Sequence, residues 1–271
     1  MKKCWKKPLY WAVIIVLVAV FVYSAYSLIA YYVASQKNAE TYDHLAQLVA
    51  DRPTIPLPES IDTETTPQET EPKQEDHVLQ VLPEYAQVYA MNPELVGWIS
   101  IDDTKINYPV VQSGKDTPNY YLKRNFEKKS SSHGCIYVSE DADVFAPSDN
   151  VTIYGHRMGD HSMFGQLGLY TDKAFWENHQ YIRFDTLEER HLYQVICVFA
   201  IDPSQAEEFP YHSFVDAADE DAFNAFIAKC MALRYYDTGI TAQYGDKLIT
   251  LSTCEYTHRN GRLVVVAKRI V

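Results

Sequence analysis

The hydrophobic pattern divides the chain into three parts, and the first is an apolar run near the N-terminus. Residues 9–33 include no charged side chain over 25 positions. A helix of that length, at ~1.5 Å per residue, is about 37 Å long and can cross a hydrocarbon core of about 30 Å with some tilt. A cleaved signal peptide is the alternative, but its apolar region spans only about 7–15 residues and no clear A-x-A site follows here. We therefore predict a transmembrane signal anchor over residues 9–33.

The charges before this run predict its orientation. Residues 1–8 contain four lysines, at positions 2, 3, 6 and 7. Basic flanks stay on the cytoplasmic side of a membrane. We expect residues 1–8 to be cytoplasmic and everything after Val33 to be extracytoplasmic, on a protein that crosses the cell membrane once.

The second part, residues 34–77, is polar. Its stretch 51–77 holds eight acidic residues, two basic ones, five prolines and no aromatic residue. Such a composition buries too little apolar surface to offset the entropy lost on ordering. We predict an extracytoplasmic spacer over 34–77 that is largely disordered and holds the following domain away from the membrane.

The third part, residues 78–271, alternates short apolar runs with turn residues such as Asp102-Asp103, Ser113-Gly114 and Asn260-Gly261. Runs of this kind predict β-strands. The predicted strands are Val96–Ile101, Ile106–Val111, Cys135–Val138, Val151–Tyr154, Tyr181–Asp185, His191–Ile201, Lys247–Thr253 and Leu263–Val271. Eight short strands favour a mainly β fold, either a closed barrel or a sandwich.

Two segments of this domain show helical patterns instead. The sequence LPEYAQVYAMNPE predicts an N-terminal helix with Pro83 in its first turn. The insertion DAADEDAFNAFIAKCMALRYY, before the last two strands, carries a helical stripe of apolar residues. Its members are Phe223, Phe226, Ile227, Cys230 and Leu233.

Composition excludes several classes of function. A net charge of −12 argues against a nucleic-acid partner held through phosphate contacts. The five cysteines include no C-x-x-C pair, so neither a zinc ribbon nor a thioredoxin-type motif is indicated. No cluster of metal-ligating residues is visible in the sequence, and we expect neither a metal nor another cofactor.

Two cysteines are candidate nucleophiles, Cys135 in SSHGCIYVS and Cys254 in TLSTCEYTHRNGRLVVVAKRI. The apolar runs on either side of EYTHRNG should pair as antiparallel strands. Because the ends of such a hairpin meet, Cys254 should lie beside Arg262. On spacing alone, the pair also fits an ordinary surface arginine near a half-buried cysteine. Cys197 lies within a strand and Cys230 on the apolar stripe, so both are expected in the core.

A cysteine nucleophile also needs a general acid and base, and histidine is the usual one. His156 directly follows a strand and a glycine, and strand ends present side chains on a rigid scaffold. The loop histidines are expected to be solvated. These are His133, His161, His179, His191, His212 and His258.

With these motifs in order, the sequence resembles the class B sortases over about residues 79–271. The matching segments are NPELVGWISIDDTKINYPVVQ, NYYLKRNFE, SSHGCIYVS, NVTIYGHRMGDHSMFGQL and TLSTCEYTHRNGRLVVVAKRI. The resemblance implies an eight-stranded sortase-type β-barrel with an N-terminal helix and a helix inserted before the cysteine strand. It also implies a membrane-anchored enzyme of Gram-positive cells that joins sorting-signal proteins to an amine.

The resemblance assigns roles to individual residues. It implies Cys254 as nucleophile, His156 as acid and base, and Arg262, rather than Arg259, as the oxyanion-stabilising arginine, because Arg262 abuts the LVVVA strand. It places Cys135 in a core strand. A Ser-His-Gly-Cys run is also found in L,D-transpeptidases, but Tyr137 stands where that motif requires arginine. Four further residues are implied to line the peptide site: Leu122, Ser252, Thr253 and Glu255.

The implied reaction is cleavage of a C-terminal sorting signal after its threonine and transfer of the acyl group, through a cysteine thioester, to an amine. The amine belongs to a peptidoglycan precursor or to another nucleophile. A thiol hydrolase with the same Cys-His-Arg set, a pilin-polymerising sortase and an inactive binding module are the alternatives.

Overall fold

The computed structural model describes the backbone of residues 6–58, 79–202, 209–255 and 261–271, with side chains from residue 10 onward except at 254 and 255. The chain forms two compact units, Met1–Tyr42 and Asp43–Val271. Most of the first unit is formed by one helix, α1 (Lys6–Leu48), and this helix includes the predicted anchor. Among the described residues, α1 is the one helix long and apolar enough to cross a membrane.

The second unit is a closed eight-stranded barrel, as the sequence predicted. Its strands are β1 (Leu95–Ser100), β2 (Asn107–Val111), β3 (Ile136–Val138), β4 (Asn150–Tyr154), β5 (Tyr181–Thr186), β6 (Leu192–Ile201), β7 (Leu248–Glu255) and β8 (Gly261–Arg269). Every predicted strand is present, with ends displaced by at most two residues. Around the barrel the order is β1-β2-β3-β4-β7-β8-β6-β5, and β5 pairs with β1 to close it.

Among the described residues, three α-helices accompany the barrel. They are α2 (Ala86–Met91), α3 (Lys173–Asn178) and α4 (Glu220–Leu233). A 3₁₀ turn at Pro83–Tyr85 precedes α2, so the predicted N-terminal helix is confirmed. The hydroxyl of Tyr85 donates to Asp185 Oδ2 at 2.6 Å, which ties this segment to β5. Since both groups are buried, the bond satisfies a carboxylate that would otherwise be costly to enclose.

Helix α4 covers the outer face of the barrel at β6, β7 and β8. Its first turn is capped by Asp219, whose side chain accepts the backbone N–H of Ala222 at 2.8 Å. The predicted apolar stripe packs against the outward side chains of Phe199, Val264 and Val266. These three strands are therefore buried on both faces, which explains why β8 reads as a continuous apolar run. Cys197 and Cys230 both lie in this core, as predicted.

The structure describes part of the predicted spacer. Leu45, in the last turn of α1, is buried. The Arg52 guanidinium donates to Ser100 Oγ at 3.3 Å and to Asn107 Oδ1 at 3.1 Å. Arg52 therefore contacts the barrel at β1 and β2. The remainder of the predicted spacer, residues 59–77, lies outside the described residues.

Candidate active site

The parallel pairing of β4 with β7 brings together the strand that precedes the predicted histidine and the strand that carries the predicted cysteine. The register runs from Asn150↔Leu248 to Tyr154↔Ser252. The Gly155 N–H donates to the Ser252 carbonyl at 3.2 Å and so belongs to this last pair. His156 and Cys254 each follow it by two residues along their own segments. The two residues therefore come from neighbouring strand ends on the same edge of the barrel.

The β7–β8 hairpin supplies the third residue. Cys254 is the register partner of Arg262, and Glu255 that of Gly261. The Arg262 side chain is exposed, and its Nη1 donates to the Gly261 carbonyl at 3.2 Å. The expected adjacency of Cys254 and Arg262 is thus found in the backbone. The competing arginine, Arg259, lies outside the described residues.

Thr253 holds the cysteine strand to the segment that carries His156. Its hydroxyl donates to the Gly155 carbonyl at 2.8 Å. Together with the Gly155–Ser252 hydrogen bond, this contact fixes the last residue before His156 on both sides. The sequence implied a peptide-binding role for Thr253, and the structure shows its side chain buried and engaged in this internal bond.

The His156 ring is held by the backbone of the predicted peptide-site residue Leu122. His156 Nε2 lies 2.7 Å from the Leu122 carbonyl oxygen. Because a carbonyl oxygen can only accept, Nε2 carries a hydrogen in this arrangement. In the neutral ring, Nδ1 is then the nitrogen that takes up a proton. The backbone carbonyl of His156 accepts the N–H of Phe164 at 2.9 Å, which closes the following loop.

The same edge of the His156 ring lies close to Gly134. This glycine has a φ of +61°, in the left-handed region, and a Cβ at this position would lie 3.1 Å from His156 Cδ2 and 2.8 Å from the Leu122 carbonyl oxygen. Any side chain here would displace the ring or its acceptor. The SSHGC segment therefore supports the histidine instead of supplying the nucleophile. Cys135 is buried at 1% exposure, as expected for a core residue.

The other two predicted peptide-site side chains described here differ in exposure. Leu122 is 38% exposed beside the His156 ring, where a ligand can reach it. Ser252 is buried, with its hydroxyl 2.8 Å from the Tyr211 hydroxyl. Tyr211 lies between β6 and α4, so this connecting segment contacts the cysteine strand β7 at Ser252.

Tyr154 is a residue of this site that the sequence reasoning did not single out. It is half-buried at the end of β4, and its ring centroid lies 5.3 Å from that of Tyr137. Burial raises the pKa of Tyr154 above its usual range, and the nearby charge of Arg262 opposes that shift. The hydroxyl is therefore a neutral donor beside the guanidinium. Strand alternation was an available signal, since Tyr154 precedes His156 by two residues and shares its face.

The prediction that the loop histidines are solvated is wrong for His133 and His191. Both are buried, because their neighbouring loops fold over them. Burial, followed by the charge of Arg269, lowers the pKa of His191 to about 4. His161 and His212 are exposed as expected, and His258 lies outside the described residues. Within the described ranges, no group of three His, Cys, Asp or Glu side chains is placed to hold a metal ion.

Comparisons with known proteins agree with this geometry. The sortase domain family matches residues 99–270. Sortase B of Staphylococcus aureus is 26% identical over 258 residues, covering 94% of each chain. Sortase B of Listeria monocytogenes is 29% identical over 193 residues, covering 70% of this chain and 76% of that protein.

A solved structure is similar in fold and sequence. The crystal structure of sortase B from Bacillus anthracis superposes with a TM-score of 0.70 at 30% identity, covering 88% of this chain and 98% of that one. The family match spans more than half of the chain, and it includes the strands that carry the candidate site. The chain therefore belongs to the sortase family of cysteine transpeptidases and is of the sortase B type.

Proposed function

We propose that this protein is a membrane-anchored transpeptidase that cleaves the C-terminal sorting signal of surface proteins after its threonine. The acyl group passes through a Cys254 thioester to an amine of the cell wall, a peptidoglycan precursor. The observation that supports the proposal is the β7–β8 register that pairs Cys254 with Arg262, next to the β4–β7 pairing that ends two residues before His156.

Acylation begins with the Cys254 thiolate. It attacks the carbonyl carbon after the threonine, forming a tetrahedral oxyanion whose collapse breaks the peptide bond. A free thiol with a pKa of about 8.5 is mostly protonated at neutral pH, so positive charge nearby favours the reactive form. Arg262, one strand away, supplies that charge.

His156 moves the protons. Since Nε2–H is held by the Leu122 carbonyl, Nδ1 takes up the proton that the Cys254 thiol loses and then gives it to the leaving amine. In the second half of the reaction, the incoming amine attacks the thioester and Nδ1 accepts its proton. The Leu122 hydrogen bond keeps the ring from rotating between the two steps.

Arg262 and the backbone N–H of Glu255 stabilise the oxyanion in both half-reactions. Arg262 is exposed, and its Nη1 donates to the Gly261 carbonyl on its own strand. We expect its guanidinium to turn toward the carbonyl of a bound peptide. Hydrogen bonds aimed at developing charge are worth most in the transition state.

The proposed orientation in the membrane follows from the lysines that precede the apolar helix. The lysine-rich flank stays in the cytoplasm, α1 crosses the cell membrane, and the barrel faces outward. The sorting-signal protein and the acceptor amine are both available on that side. Leu122 and Glu255 are the predicted residues whose side chains we expect to contact the peptide, and the buried Ser252 and Thr253 support the site from within the protein.

One experiment tests both reaction and orientation. Wall-free cells that carry the full chain are given a membrane-impermeant sorting-signal peptide, with and without an added amine. We expect peptide cleavage without lysis and an amine-linked product when amine is present. Cleavage to the free acid alone would indicate a hydrolase, no cleavage would indicate a binding module, and cleavage only after lysis would reverse the orientation.

The Arg262→Lys variant tests how the arginine acts. If Arg262 supplied only charge, lysine would preserve most of the rate. A planar guanidinium that donates to the oxyanion cannot be replaced by an ammonium group. We expect kcat to fall by about 10²–10³, with KM little changed, because loss of one oxyanion donor has that effect.

The matched control for this substitution is Arg259→Lys, which should leave kcat near the wild-type value. Steady-state kinetics on a sorting peptide with excess amine gives both constants. An Arg262→Lys variant within threefold of wild type, or the larger defect at position 259, would show that the wrong arginine or the wrong role has been assigned.

A further inference from the structure

We propose that His133, facing Asp160, is a positioning residue for His156. It joins the two loops that hold the His156 ring in place. The inference rests on the proposed function, in which His156 transfers the protons. It concerns a residue to which the proposed reaction gives no part in the bond changes.

The first observation is the setting of the His133 ring. Its side chain is 1% exposed, its Nδ1 lies 3.3 Å from Ser132 Oγ, and its Nε2 lies 3.7 Å from Asp160 Oδ2. Enclosing an imidazole costs free energy that an apolar side chain would not. The burial of this ring is therefore stabilised by the polar groups near its two nitrogens. Of these two groups, Asp160 carries a charge.

The second observation is where Asp160 comes from. It belongs to the loop that begins at His156 and closes at Phe164, whose N–H donates to the His156 carbonyl. Its Oδ1 accepts the N–H of Ser162 at 3.0 Å and the Ser162 hydroxyl at 2.6 Å. The carboxylate is thus fixed within the loop, with its other oxygen directed at His133. Contact with His133 attaches this loop to the SSHGC segment.

The third observation is the proximity of Gly134 to the His156 ring. Gly134, the residue after His133, sits against His156 Cδ2 and against the carbonyl oxygen that accepts from His156 Nε2. A shift of His133 would move Gly134 with it, because the two share a peptide bond. His133 therefore acts on His156 in two ways. It faces Asp160, which belongs to the loop that His156 begins. It also precedes Gly134, which lies close to the His156 ring.

The charges around His133 are compatible with this role. Burial lowers the pKa of His133, the positive charge of His156 acts in the same direction, and Asp160 opposes them. At neutral pH the ring is therefore mainly neutral. It does not place a second positive charge beside His156 when that ring carries the proton for the leaving amine.

The test compares His133→Ala with His133→Gln in the full chain in detergent micelles. We expect kcat for peptide transfer to fall about tenfold in the alanine variant, since small displacements of a reacting group reduce rates steeply. KM for the peptide should stay within about twofold, because the peptide site itself is not altered. Glutamine, whose amide N–H groups can face the Asp160 carboxylate as the imidazole N–H does, should return kcat to within about threefold of wild type.

The matched control is His161→Asn. His161 lies in the same loop but is exposed, and its φ of +64° is one that asparagine adopts readily. This variant should keep wild-type kcat. Histidine-selective ¹⁵N spectra provide a readout that general loss of stability would not produce: His156 should show one Nε2–H tautomer in wild type and in His133→Gln, and a mixture in His133→Ala.

Two results would overturn the inference. One is a His133→Ala variant with unchanged kcat and an unchanged His156 ring signal. The other is an equal loss of kcat in His161→Asn. A His156→Ala variant measured in parallel distinguishes the catalytic role of His156 from the positioning role of His133. If His156→Ala keeps wild-type transfer, the proposed function is wrong. If His156→Ala is inactive while His133→Ala is unaffected, only the positioning role is wrong.

Discussion

Peptide transfer should disappear in the Cys254→Ala variant. Without the thiolate no thioester forms, and removal of a covalent nucleophile lowers kcat by more than about 10⁴-fold even when the rest of the site is intact. A thiol-directed mimic of a sorting peptide should label the wild-type chain once, at Cys254. Mass spectrometry of the digested protein identifies the labelled cysteine, and steady-state kinetics measures the loss of transfer.

Cys135→Ala is the matched control. Cys135 is buried in the segment behind His156, and truncation to alanine leaves a small cavity that costs on the order of 1 kcal/mol of stability. The variant should unfold at a slightly lower temperature and retain its transfer activity. Labelling at Cys135, or transfer by Cys254→Ala, would mean that the nucleophile has been misassigned.

The second large effect is expected for His156→Ala. A group that protonates the leaving amine and deprotonates the incoming one contributes about 10²–10⁴ to each step. Both thioester formation and transfer should therefore slow by at least that factor. Acylation is followed as the first-turnover release of the C-terminal peptide fragment, and transfer as the appearance of the amine-linked product.

His161→Ala separates a proton-transfer role from a disturbed loop. The two histidines belong to one loop, but His161 is exposed while His156 is bonded to the Leu122 carbonyl. The His161 variant should keep most of its activity in both half-reactions. If it lost as much as His156→Ala, the loop conformation rather than one imidazole would be responsible for the rate.

Much of the fold was predictable because its signals are local. Alternation and turn residues located all eight strands, and the apolar stripe located α4 together with its buried Cys230. The hairpin of β7 and β8 was also predictable, since a short connection leaves few registers open. That hairpin was enough to bring Cys254 and Arg262 together before any tertiary contact was known.

The position of the histidine relative to this pair was not predictable from local signals. Strands β4 and β7 are parallel neighbours separated by about a hundred residues, so only closure of the barrel sets their register. Choosing His156 from the sequence depended on its place after a strand and on the family resemblance. Its bond to Leu122 and its contact with Gly134 arise from loops that meet only in the folded protein.

Residue periodicity along the chain accounts for the apolar N-terminal run, the eight strands and the Cys254–Arg262 hairpin, because each depends on neighbours within a few positions. The burial of His133, the contact of Arg52 with the barrel and the pairing of β4 with β7 depend on segments far apart in the chain. A histidine in a polar loop and an arginine in a proline-rich stretch have the composition of solvated residues. Their environment is set by the surfaces that fold against them, and those surfaces exist only once the barrel has closed.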